Sequence, residues 1–77
     1  MMNIYWCHEA DESEGLFVLG LTRGRAKAIY AAEVECKITG VRSNLMVRGT
    51  NEPFEGVLEV ESPVLERYGL KYGEGEA

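Results

Sequence analysis

Histidine and cysteine are scarce in this 77-residue chain: one His and two Cys. Cys7, His8 and Cys36 fall short of the four ligands of a structural zinc site, and no CxxC-type pair is present. Cys7 and His8 are neighbours on a predicted strand, where adjacent side chains point to opposite faces, so they cannot work together as nucleophile and base. No metal, no cofactor and no catalytic residues are therefore expected, and the chain reads as non-enzymatic. Long apolar runs are missing too. None approaches the ~20 residues that span a bilayer, so no membrane attachment is expected. Residues 1–22 contain no base, so the basic start of a signal peptide is lacking and a cytoplasmic protein is expected. In that compartment Cys7 and Cys36 read as buried thiols on strands rather than as a disulfide.

What is present is an ordinary apolar share of 45%, enough for a folded core. The length predicts one domain over 1–77, with a modest core and a frayed Gly/Glu tail over 73–77. Charge is distributed unevenly along it. Residues 1–22 carry Glu9, Asp11, Glu12 and Glu14, a net of −4. Residues 23–48 carry six bases and two acids, a net of +4, and residues 49–77 return to −5. A basic middle between acidic flanks points to opposed surface patches, or to flanks that fold over the middle.

Residues 3–8 are rich in β-favouring types and predict a strand. Residues 9–15 are polar, acidic and end in Gly, a hairpin loop. Leu16–Leu21 is too short for a core helix and predicts a buried central strand. Thr22 then caps a helix over 22–33, with Ala26, Ile29, Tyr30 and Val34 on its inward face. Residues 36–48 predict an extended segment bent at Gly40, and 49–53 predict a turn. Residues 56–60 predict a short strand. Ser62, Pro63 and Gly69 have the types of an N-cap, a first helical residue and a left-handed end, which predicts a helical turn over 62–69. Residues 70–72 predict a last extended piece. The β-β-α-β order predicts an α+β fold: a small, mostly antiparallel sheet with one packed helix and a short C-terminal helical turn.

The helix charges run against its dipole. Arg23, Arg25 and Lys27 crowd the positive end, while Glu33 and Glu35 sit at the negative end, at about 0.3–1 kcal/mol per exposed charge. A helix start of this kind attracts anions through its free N–H groups and its cations. Arg42 and Arg48 extend the patch if their strand lies beside the helix. The plainer reading is a solvated surface neutralised by Glu9, Asp11, Glu12 or Glu14. Glu52, Phe54 and Glu55 offer an aromatic anchor between acids for a basic partner, unless Phe54 tucks under the sheet edge. The acidic residues Glu9, Asp11, Glu12 and Glu14 could equally serve a basic partner, in the way a phosphate backbone does.

The segment Leu19-Gly20-Leu21-Thr22-Arg23-Gly24-Arg25-Ala26-Lys27, followed by Val41-Arg42 and Leu65-Glu66-Arg67-Tyr68-Gly69-Leu70, resembles a group of small uncharacterised prophage and mobile-element proteins. The resemblance implies a phage-type origin and a bacterial host cell. It also implies a binding protein that engages a host or phage protein, for instance a defence or nucleic-acid-processing complex. The alternative is an anion-binding module for a nucleotide, signalling phosphate or nucleic acid at the basic helix start. Self-association is expected in both readings, because a small sheet leaves edges to pair.

Overall fold

The computed structural model describes residues 1–73; the remainder of the predicted tail, 74–77, lies outside the described residues. The fold is α+β. β1 (Met2–Glu9) and β2 (Gly15–Gly20) form a hairpin around the acidic loop. α1 (Arg23–Val34) follows, then a 3-10 turn at Ile38–Gly40. β3 (Val41–Thr50), β4 (Gly56–Leu58) and α2 (Pro63–Arg67) complete the chain. The sheet has the order β3-β1-β2-β4, with every pairing antiparallel. β2 is central and buried, as its unbroken apolar run predicts.

Both helix starts use the residues the sequence marks. The Thr22 hydroxyl accepts from the Arg25 N–H at 3.1 Å, and the Ser62 hydroxyl from the Val64 N–H at 3.2 Å. α2 ends through Gly69, whose φ of 71° lets the Leu70 N–H reach the Leu65 carbonyl at 2.8 Å. α1 ends differently. Glu35 takes the left-handed conformation (φ 57°) that Gly usually supplies, and the Cys36 N–H bonds the Ala31 carbonyl at 3.0 Å.

The sheet is covered on both faces: α1 is the packed helix expected, and the short C-terminal helical turn, α2, covers the opposite face. On one face α1 buries Ala26, Tyr30 and Ala31 against Tyr5, Cys7, Val18 and Val41. Close approach requires Gly20 here: a Cβ would lie 3.1–3.3 Å from Ala26 backbone and side-chain atoms. On the other face Val64 and Leu65 of α2 pack with Ile4, Phe17, Leu19 and Leu58, joined by Trp6, Leu70 and Tyr72. Rather than an extended piece, 70–72 is a non-strand return that inserts the Tyr72 ring edge-on to Phe17 and Trp6. The Tyr72 hydroxyl accepts from the Phe17 N–H at 2.8 Å and donates to the Leu58 carbonyl at 2.7 Å. Phe17 and Leu58 are register partners, so this phenol bridges β2 to β4.

Four local expectations fail. Val34 is 38% exposed, because α1 turns its last residues out beyond the sheet; Ala31 takes the inward place. Ile38–Gly40 form the 3-10 turn, with Lys37 at its cap, and not the start of a strand. β3 runs on through Gly49 and Thr50, which pair with β1 and are not turn residues. It absorbs the extra length by bulging. Ile4 faces Val47 and Tyr5 faces Leu45, leaving Met46 as the extra residue, and Gly49 (φ 73°) serves a second shift. Cys36 lies after α1 and on no strand; it and the buried Cys7 are both free thiols.

Candidate functional site

The basic helix start is occupied by the protein itself. The Arg23 guanidinium donates to the Ser43 hydroxyl at 2.9 Å and to the Ser43 carbonyl, with its carbon 5.5 Å from the Tyr5 ring centroid. It straps α1 across β1 to edge strand β3. The Arg25 guanidinium pairs with Glu55 at 2.7 Å, and the same carboxylate accepts from the Leu21 N–H at 2.9 Å. The hydrogen bond from Arg25, then that from Leu21, holds the Glu55 carboxyl below the usual carboxylate range. Lys27 is half-buried and makes no ion pair among the described residues.

The acids that neutralise this patch differ from those expected. Glu9, Glu12 and Glu14 lie at the far end of α1, beside Tyr30 and Val34, and the patch is met by Glu55 instead. Nor does Arg42 extend it. Ser43 meets α1's Arg23, while Asn44 faces Trp6 on the α2 side; Arg42 alternates with Ser43 and shares the Asn44 side. Arg48 is exposed farther along β3. Phe54 is 48% exposed and does not tuck under the sheet edge. Its neighbours are engaged: Glu52 pairs with Arg67 at 2.6 Å and Glu55 with Arg25. The 52–55 loop thus clamps α2 with one acid and α1 with the other.

Among the described residues, two surfaces remain without internal partners. The first is acidic. Leu16 lines two adjoining clefts of about 250 and 150 Å³. Glu9, Glu12, Glu14, Tyr30 and Val34 form one wall set, and Glu33, Val57, Glu59, Val60 and Tyr72 the other. Val60 is 70% exposed. The two clefts thus set Leu16, Val34 and Val60 among five carboxylates, none in an ion pair among the described residues. Asp11 is exposed in the same hairpin loop. Sequence reasoning found the hairpin acids and missed Leu16, Glu33, Glu59 and Val60, which only the packing of α1 beside β2 and β4 brings together. The second surface is a groove of about 580 Å³ on the α2 side, lined by Trp6, Phe17, Asn44, Met46, Leu70 and Lys71.

Titratable groups in the core are held neutral. Burial pushes the Cys7 thiol up to about 11, against the opposing pull of Lys27 and Arg23. Burial, then the nearby Glu9 charge, raises Tyr30. Among the described residues no group of three or more His, Cys, Asp or Glu side chains is placed to hold a metal, and no helix is long and apolar enough to cross a membrane. A scan of family models returns no match, and comparisons with curated proteins and with solved structures find none similar to this chain.

Proposed function

We propose that this chain is a small non-enzymatic binding protein that engages a basic surface of a partner protein through its acidic face. The supporting observation is the grouping of Glu9, Glu12, Glu14, Glu33 and Glu59 with half-buried Leu16 and exposed Val34 and Val60 along two adjoining clefts. Protein interfaces combine an apolar centre with a polar rim in this way. Unpaired carboxylates add steering toward positive charge. α1 tolerates Glu33 and Glu35 against its own dipole, and Glu35 in a left-handed conformation, as expected where charge serves recognition over stability. The phage-type resemblance directs the search to host defence and nucleic-acid-processing complexes in the bacterial cytoplasm, whose basic channels suit such a face. The alternative, an anion module at the helix start, has less support. A phosphate would have to displace Ser43 from Arg23 and Glu55 from Arg25.

The test is capture from bacterial lysate by three immobilised proteins: wild type, Glu12→Lys/Glu33→Lys and Arg25→Glu. A specific partner held by wild type and Arg25→Glu but lost by the double reversal, with retention falling as salt rises, supports the proposal. No specific partner, or equal capture by all three, sinks it. Oligonucleotide or phosphate binding that Arg25→Glu abolishes would favour the alternative.

A further inference from the structure

The two unpartnered surfaces are opposite in charge and alike in having apolar centres. Among the described residues no carboxylate lines the α2-side groove, whose wall includes Trp6, Met46 and Leu70. Lys71 lines it directly, and Arg42 stands in the same exposed row of β3 as Asn44 and Met46. Neither cation makes an ion pair among the described residues. Met46 is 44% exposed because the β3 bulge adds it to the row. The acidic face lies elsewhere, between the end of α1 and β4.

We infer that the groove's occupant is the acidic face of a second copy of this chain. Charge complementarity is the argument: Lys71 and Arg42 meet the Glu9–Glu14 and Glu33–Glu59 rim, and Leu16, Val34 and Val60 meet Trp6, Met46 and Leu70. The two patches are different surfaces, so the contact is heterologous, head to tail, and adds copies in a row. It also places self-association in competition with any foreign partner for the same acidic face. This is a different route from sheet-edge pairing. β4 is only three residues long, and edge strand β3 is blunted by two bulges and by Arg23 on its Ser43 carbonyl.

The experiment is light scattering with size exclusion, from micromolar to millimolar protein, on wild type, Lys71→Glu and Glu12→Lys/Glu14→Lys. Far-UV circular dichroism and a cooperative melt establish that each variant is folded. Wild type should rise above the 8.6 kDa monomer with concentration and return to it in high salt. Each reversal alone should stay monomeric. An equimolar mixture should regain association, since the intact acidic face of one variant meets the intact groove of the other. Should Lys71→Glu fail to fold, Met46→Glu on the exposed row replaces it. A wild type that stays at 8.6 kDa in low salt at millimolar concentration overturns the inference. So does a mixture that never forms dimers, or reversal variants that associate as wild type does.

Discussion

Tyr72→Phe removes one oxygen and leaves two backbone groups without a partner. The Phe17 N–H loses its acceptor at 2.8 Å and the Leu58 carbonyl its donor at 2.7 Å. Phe17 and Leu58 are themselves buried, while Tyr72 is only half-buried. An unsatisfied buried group costs about 1–3 kcal/mol, and water reaching past the half-buried ring relieves part of it, so the pair should cost about 2 kcal/mol. The ring stays, so the edge-on contacts to Trp6 and Phe17 survive and no cavity opens. For a domain this short, that corresponds to a melting point lower by about 8–16 °C. Thermal and urea melts measure it, with Tyr68→Phe as control. The Tyr68 hydroxyl meets only the exposed Asn51 N–H, at 3.4 Å, so its loss should fall within about 0.5 kcal/mol of wild type. Hydrogen exchange adds a local readout, because the Phe17 amide should lose protection more than amides of the β1–β3 pair. A Tyr72→Phe protein as stable as the control would refute the reasoning. It would mean that β4 closes on β2 and the two orphaned groups bond each other directly.

Glu35→Gly should stabilise by about 0.5–1 kcal/mol, since Gly meets φ 57° without a Cβ penalty; a melt no higher than that of Glu35→Gln would show that removing charge is the whole effect. Gly15→Ala should prevent a cooperative fold, because its Cβ would lie on the Cys7 carbonyl oxygen, whereas Gly20→Ala should cost about 1–3 kcal/mol as α1 shifts outward; urea melts of the two variants check the order. Stability should be level to about pH 9 and then fall. Cys7 (about 11), Tyr30 and Tyr72 all bind their protons more tightly when folded, so their contribution is complete below the unfolded values and is lost as pH rises through the folded ones. Urea midpoints from pH 7 to 11 measure this. At the acid end, Glu55 works in the opposite sense. Its lowered pKa gives stability above the unfolded carboxylate range that is lost as pH falls through the folded value, and Arg25→Gln should remove that part of the acid dependence.

The local signals carried through to the structure. Thr22, Ser62 and Gly69 work where their side chains or backbone freedom suggest, because capping is decided within three or four residues. The apolar run of β2 marked the sheet's centre for the same reason. What failed was non-local. Arg25 finds Glu55 across 30 residues and Arg23 finds Ser43 across 20, and no spacing in the chain announces either contact. The charge excess of residues 23–48 was legible, yet its meaning depended on which acid the fold would deliver. The bulges of β3 were hidden too: they arise because a ten-residue strand must match the eight residues of β1. The acidic face was half visible. The hairpin acids stood out, whereas Glu33, Glu59 and Leu16 join them only once α1 has docked.

The loop between the two edge strands has a consequence for how the molecule comes apart. Glu52 holds α2 through Arg67, and Glu55, three residues on, holds α1 through Arg25. One short segment therefore fastens the layers on opposite sides of the sheet. Neither helix can peel away as a subdomain without disturbing the tether of the other. Amides of α1 and α2 should then exchange through a common opening event, and a single cut within 52–55 by a glutamate-specific protease should collapse that shared cooperativity and free both helices at once.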